Sequence, residues 1–157
     1  MASVPGSARG AAPSRSGSAL RAFRVEDTEH VIDLWRLGGL LRPWNDPHRD
    51  VARKLTVQPE LFLVIDHPTD GVIATVMAGY DGHRGWMNYL AVHPEHRGRG
   101  HARRLVEDVE ARLTAQGCPK ASLMVRAENG AVVGFYRALG YQVDDVLALG
   151  KRLISDD

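Results

Sequence analysis

The stretch HPEHRGRGHA, residues 93–102, joins an apolar segment to a long amphipathic one. The segment before it, residues 86–92, has the pattern of a β-strand. After it, small and apolar residues recur at three- and four-residue spacings as far as Gly117, which predicts a helix; they are Ala102, Leu105, Val106, Val109 and Leu113. The sequence therefore predicts a glycine-rich turn that leads from a strand into the N-terminus of a helix.

Such a turn is suited to binding an anion. A helix N-terminus has unpaired N–H groups and a partial positive charge. Gly98 and Gly100 would let the backbone approach a phosphate without a Cβ in the way, and Ala102 is small where the helix begins. Arg97 and Arg99 can add charge-assisted hydrogen bonds. An ordinary turn with solvated arginines explains the same residues, whereas the missing third glycine and the missing Gly-Lys-Ser/Thr exclude a dinucleotide fingerprint and a P-loop.

The segments on either side of this turn predict an α+β domain. Besides the helix after residue 100, helices are expected over residues 26–38, around 51–55 and over 129–139. Strands are expected over residues 21–25, 61–65, 72–80, 86–92 and 121–125, with a last strand or hairpin from residue 141. The expected architecture is a mixed, mostly antiparallel sheet of about six or seven strands, flanked by about four helices.

The composition fits one globular domain preceded by a tail. The 157 residues are 44% hydrophobic and 25% charged, which are ordinary globular values. The formal charge of +1 gives no footprint for nucleic acid or an anionic membrane, and no apolar run approaches the ~20 residues of a membrane span. The single cysteine, Cys118, favours a reducing, cytoplasmic setting. Residues 1–20 are expected to be a disordered tail, which leaves 21–157 as the domain.

Three motifs in this order resemble those of the GNAT N-acetyltransferase superfamily. Arg97-x-x-Gly100-x-Ala102 matches its Arg/Gln-x-x-Gly-x-Gly/Ala signature, and the preceding LAVHP, residues 90–94, resembles its fourth strand. Asn129, then Tyr136, then LGY at 139–141 resemble the ending of the family's sequences. The loop 41–47, with residues 80–84 and 149–152, is similar to a subgroup of small bacterial acetyltransferases. The resemblance covers residues 21–157 and implies the GNAT fold, in which the fourth strand is bulged and the fourth and fifth strands splay apart.

The resemblance also implies acetyl-CoA as co-substrate and assigns its contacts. The pantetheine arm is expected in the gap between the splayed strands, against the backbone of Leu90 and Val92. Asn129 matches the residue whose side chain contacts this arm, although asparagine is also a frequent helix N-cap. The pyrophosphate is expected on the backbone of the turn, at Arg97, Gly98, Arg99, Gly100, His101 and Ala102.

Tyr136 matches the general acid of the family. A phenol with a pKa near ~10 can protonate the CoA thiolate as it leaves, since the thiol has a pKa near the ~8.5 of cysteine. Without the resemblance, Tyr136 would be read as a half-buried aromatic on a helix face shared with Val132 and Leu139.

The acceptor is expected to be an amine, on a small molecule or on a peptide or protein. It must lose a proton before or during attack. Where some relatives place a glutamate for this task, the chain has Met124. Asp81, His83 and Glu128, or a chain of water molecules, remain candidates for the base.

The acceptor pocket is expected beside the Pro-rich loop that holds Arg42, Trp44 and Asp46, because this loop walls the pocket in the GNAT fold. A tryptophan and a carboxylate could cradle a cationic amine. The same loop could instead be pinned by a packed tryptophan.

Other classes of function fit the sequence less well. No metal is expected, because His93, His96 and His101 lack a fourth ligand of convincing spacing. A non-catalytic acyl-CoA sensor would explain the missing carboxylate, but a pure binder has no need of Tyr136. A nucleic-acid patch built on the arginines of the turn is disfavoured by the acidic residues that follow them. A homodimer is compatible with the sequence.

Overall fold

Two apolar strands, β2 (Phe62–His67) and β3 (Gly71–Tyr80), lie at the centre of the computed structural model, which describes residues 17–157. Residues 62–65 are all fully buried, so both faces of β2 are covered by other elements. The two strands form an antiparallel hairpin. The turn between them is the one that the sequence predicts.

Three further strands complete the sheet, which has the order β1-β2-β3-β4-β5. β1 (Ala19–Ala22) and β4 (Gly85–Val92) pair antiparallel with the central hairpin. β5 (Ala121–Leu123) pairs with β4 in the parallel direction. The sheet is therefore mixed and mostly antiparallel, as expected.

In the part of the chain that the structure describes, four α-helices cover the sheet, two on each face. α1 (Thr28–Leu37) and α2 (Pro47–Lys54) close one core, in which Trp35 of α1 stacks on Phe62. α3 (His101–Ala115) and α4 (Gly130–Ala138) close the other. No helix within residues 17–157 combines the length and apolar character needed to span a membrane.

The number of strands corrects the sequence prediction, since five are present in residues 17–157 rather than six or seven. Residues 141–157 form no strand or hairpin. Polar contacts hold this segment instead: Lys120 Nζ lies 2.7 Å from an Asp144 carboxylate oxygen, and the Asp46 N–H donates to Asp156 at 2.8 Å.

The N-terminal boundary also differs slightly from the prediction. β1 begins at Ala19, two residues before the expected start, so Ala19 and Leu20 belong to the sheet. Of the rest of the expected tail, residues 1–16 lie outside the described residues.

Strand β4 carries the predicted bulge and leaves β5 as predicted. Its register against β3 shifts between Thr75 and Met77, where Tyr89 and Leu90 oppose the single residue Val76. Tyr89 has a φ of 54°, which is unusual outside glycine. On the other side, the ladder to β5 ends at Met87, so the two strands separate beyond it.

Candidate active site

The splayed strands open a cleft that collects most of the residues expected to meet the cofactor arm. The cleft has a volume of about 210 Å³ and lies between the second half of β4 and the chain after β5. Leu90, Asn129 and Tyr136 line it. Within the described chain, β4 has no strand on its β5 side past Met87, so its backbone on that side faces the cleft.

The turn before α3 has the geometry of an anion site. Gly98 and Gly100 adopt φ values of 73° and 82°, a left-handed conformation that glycine reaches without strain. A Cβ at either position would meet no atom within 4 Å, so the surface above them is open. Gly100 is the N-cap of α3 and supplies no side-chain cap to its first N–H groups. These donors are therefore free for a ligand.

The arginines of the turn differ in their contacts. Arg97 folds back, and its Nε donates to the Val92 carbonyl oxygen at 3.3 Å, so the turn is tied to the end of β4. Arg99 is exposed. The first turn of α3 contains no acidic residue, so nothing on the helix itself repels an anion there.

Two buried histidines lie within and next to the turn before α3. His101 and His96 are both buried, and burial together with the neighbouring His96 and Arg104 lowers the pKa of His101. His96 Nε2 lies 2.9 Å from Asp70 in the turn between β2 and β3. Sequence reasoning missed this contact because 26 residues separate the two side chains.

The same cluster includes His67, and one ring nitrogen each of His67 and His96 and one carboxylate oxygen of Asp70 lie within 4.8 Å of one another. Its Nδ1 accepts from the N–H groups of Thr69 and Asp70, at 3.3 and 3.2 Å. These hydrogen bonds make His67 the acceptor that closes the β2–β3 turn. The cluster therefore links the turn between β2 and β3 to the residues just before α3.

Tyr136 is positioned by α4 with its ring in the core and its edge at the cleft. The residue is 7% exposed and packs against Phe135 and Tyr141, with ring centroids 5.0 and 5.4 Å away. Burial raises the pKa of Tyr136 to about 12. The hydroxyl is therefore neutral and available as a donor throughout the physiological range.

Asn129 precedes α4 but does not cap it with its side chain. Its amide group is thus left to the cleft that the residue lines. Met124, at the position where some relatives have a glutamate, lines the same cleft and is largely exposed. The cleft wall formed by the chain after β5 therefore offers a thioether at this point and no carboxylate.

A second, larger cavity of about 550 Å³ adjoins the cleft. It lies between the loop before α2, α2 itself and β4, and the two cavities share Leu40, Arg42, Asn88, Tyr89 and Arg126. An acceptor bound in the larger cavity would therefore reach the cleft directly. This size is typical of a site for a small molecule.

Tyr89 connects several elements in the wall of this cavity, a role that the sequence analysis did not predict. Its ring stacks on Trp35 at 4.0 Å, and its hydroxyl donates to Asp50 at 2.6 Å. The Asn45 side-chain amide donates to the Tyr89 hydroxyl at 3.1 Å. The bulge in β4 thus turns one side chain toward α1, α2 and the loop between them.

The loop residues expected at the acceptor lie in different surroundings. Arg42 and Trp44 line the larger cavity. Asp46 does not line it; its carboxylate accepts from the His48 N–H at 2.9 Å as the N-cap of α2.

None of the three candidates for the base lines either cavity. Asp81 accepts from the N–H groups of His83 and Arg84, and these hydrogen bonds hold its pKa below the usual range. His83 and Glu128 are exposed. The carboxylate that does line the larger cavity is that of Asp50, which the sequence analysis did not predict.

Comparison with known proteins agrees with this geometry. Residues 23–141 match the model of the Acetyltransferase (GNAT) family. A protein of Yersinia pestis named acetyltransferase is 52% identical over 137 residues, which cover 87% of this chain and 96% of that protein. One of Sodalis glossinidius, also named acetyltransferase, is 53% identical over 138 residues, with the same coverage. The crystal structure of Ard1 from Thermoplasma volcanium has a TM-score of 0.70 at 21% identity, covering 81% of this chain and 84% of that one.

Proposed function

Because this chain belongs to the Acetyltransferase (GNAT) family, we propose that it is an acetyltransferase that moves the acetyl group of acetyl-CoA directly onto a primary amine. Acetyl-CoA is its co-substrate. The observation that carries the proposal is the junction of two cavities, one between the splayed strands and one large enough for an acceptor. Direct transfer requires both substrates at once, and this junction lets the amine reach the thioester.

The donor is proposed to bind along the cleft. Its pyrophosphate lies on the N–H groups at Gly98 to Ala102, where the backbone is open. Its pantetheine arm follows the backbone of Leu90 and Val92 between the splayed strands. Asn129 contacts the arm with a side chain that the helix does not use.

In the reaction, the amine nitrogen attacks the thioester carbonyl, a C–N bond forms and the C–S bond breaks. The amine loses one proton and the sulfur gains one. Tyr136 is proposed to donate the proton to the sulfur, because its hydroxyl stays protonated and its ring lines the cleft.

The acceptor amine is proposed to enter through the larger cavity, past Trp44. Asp50 is fixed there by the Tyr89 hydroxyl and the Asn45 amide. A carboxylate held in this way can attract the ammonium form of the acceptor. We assign Asp50 this positioning role, and we propose that solvent takes up the proton that the amine loses.

Two measurements on the purified protein test the proposal. Acetyl-CoA should raise the free energy of unfolding by about 2.7 kcal/mol at a hundredfold excess over its dissociation constant, since it binds only the folded state. A panel of small amines and peptides should then release free CoA thiol from acetyl-CoA. No shift in melting temperature at millimolar acetyl-CoA would refute donor binding, and binding without any thiol release would indicate a sensor.

A further inference from the structure

The larger cavity is unusually basic for a site that must accept a cation-forming amine. Arg42, Arg53, Lys54 and Arg126 line it, and Asp50 is the single acidic residue in its lining. The lining therefore carries three more positive than negative charges. Such an excess attracts anions and repels a substrate whose charge is only positive.

Lys54 is the most informative of these residues because it is almost buried. The residue is 9% exposed, and its Nζ donates to the Ala78 carbonyl oxygen. No carboxylate oxygen of residues 17–157 lies within 4.0 Å of this ammonium. Desolvation lowers the pKa of Lys54, and Glu60 offsets this only from a distance. Burying a charge without an ionic partner costs free energy, and a ligand of opposite charge would offset this cost.

Arg42 and Arg126 are also without acidic partners in the described part of the chain. Arg42 Nη1 donates to two backbone carbonyl oxygens, of Gly39 and Leu41, each at 2.8 Å. The Arg126 side chain forms no hydrogen bond or ion pair with any of residues 17–157, and the residue lines both cavities. Its guanidinium is therefore free at the junction where the reacting groups meet.

The remaining charges are already compensated. Arg53 pairs with Asp156 and with Asp50. Asp50 in turn accepts from Tyr89, Asn45 and Arg53. The positive excess thus resides on Lys54, Arg42 and Arg126. The charge of Asp50 in the same lining is offset in part by Arg53.

We propose that the acceptor is a small primary amine that also carries an anionic group, a carboxylate or a phosphate, which Lys54 and Arg126 bind in this cavity. The proposal rests on the proposed acetyl transfer and specifies its substrate class. Arginine and lysine pair with either group through charge-assisted hydrogen bonds. The volume of about 550 Å³ fits a metabolite of this kind.

Matched pairs of acceptors test the charge requirement directly. Phosphoethanolamine is compared with ethanolamine, and glycine with glycinamide, at equal concentrations of free amine. The readout is kcat/KM from release of CoA thiol. One charge-assisted hydrogen bond corresponds to about 10- to 150-fold, so the anionic member of at least one pair should be acetylated faster by that factor. The pair that responds identifies phosphate or carboxylate as the anion.

Charge reversal at Arg126 then tests the residue. Arg126→Glu should abolish the preference for the anionic member, measured as the ratio of kcat/KM for the two members of the pair. The side chain is exposed and has no hydrogen bond or ion pair with residues 17–157, and its backbone hydrogen bond to Asn129 does not depend on the side chain, so the variant should remain folded. Arg36→Glu, on the outer surface of α1, introduces the same charge change away from the cavity and should keep the preference.

The outcomes separate this proposal from the acetyl transfer on which it rests. A preference for the neutral or cationic members would overturn the anionic acceptor and leave the acetyltransferase standing. An anionic preference that survives Arg126→Glu and Lys54→Met would overturn the role of the cavity. Binding of acetyl-CoA without turnover of any amine in the panel would refute transfer to small amines, and this proposal with it.

Discussion

Tyr136 lines the cleft and packs in an aromatic cluster, and its hydroxyl forms no hydrogen bond with any of residues 17–157. Tyr136→Phe keeps the ring and its contacts with Phe135 and Tyr141. We expect the variant to bind acetyl-CoA with unchanged affinity and to lose about 10²- to 10⁴-fold in kcat, the usual contribution of general acid catalysis. Turnover and affinity are measured for both forms, with a melting curve to show that the variant is folded.

The pH profile adds a check on the same residue. The active form is protonated, and the pKa of Tyr136 is raised to about 12. Its contribution to the rate is therefore fully present below about pH 11 and is lost only as the pH approaches 12. A Tyr136-dependent fall in rate between pH 8 and 10 would contradict this assignment, and turnover of Tyr136→Phe within about threefold of the parent would make the residue structural.

At the scale of elements, the turn into α3 combines an open backbone with two left-handed glycines. Gly100→Val places a branched side chain above the N–H groups that are proposed to bind the pyrophosphate. We expect acetyl-CoA affinity to fall by more than about tenfold, as for the loss of a charge-assisted hydrogen bond. Isothermal titration or thermal melting with acetyl-CoA measures the change.

Gly82→Val is the matched control for this substitution. Gly82 has a φ of 88° and equally open surroundings, but it lies in the turn between β3 and β4. Both variants should lose about 1–2 kcal/mol of stability from the left-handed backbone. Equal loss of acetyl-CoA affinity in the two variants would show that strain, rather than the anion site, accounts for the effect of Gly100→Val.

At the scale of the whole molecule, the C-terminal segment leaves an apolar surface uncovered. Six large side chains of this segment are 70–95% exposed; they are Val143, Val146, Leu147, Leu149, Leu153 and Ile154. Among residues 17–157, the adjacent strand β5 lies at the edge of the sheet and has a partner strand on one side only. Contiguous apolar surface and an unpaired edge are typical of a protein–protein interface.

We expect a second copy of the chain to cover this surface, which gives a homodimer with two-fold symmetry. Sedimentation equilibrium should show a dimer at micromolar concentration. Leu147→Asp with Leu149→Asp should give a folded monomer, because both side chains are more than 90% exposed in the single chain. A monomeric parent protein would contradict the expectation.

The order of elements up to α4 and the position of the glycine-rich turn before α3 follow from the sequence alone. Each depends on local information: apolar periodicity fixes helices and strands, and glycine spacing fixes where the backbone can turn. The bulge and the splayed strands followed from the family resemblance of residues 90–102. The roles of the predicted site residues, Tyr136 and Asn129 among them, remain predictions.

Only the tertiary structure decided which distant side chains share a site. Tyr89 meets Asp50 and Asn45 across about forty residues, and Lys54 enters a cavity whose charge depends on Arg126 far along the chain. Asp46 was expected at the acceptor and instead caps α2. The last strand was predicted from the local pattern after Tyr141, yet contacts of Asp144, Arg152 and Asp156 with remote residues hold that segment away from the sheet. Pairing of charges and strands across the chain depends on long-range packing, which local periodicity does not encode.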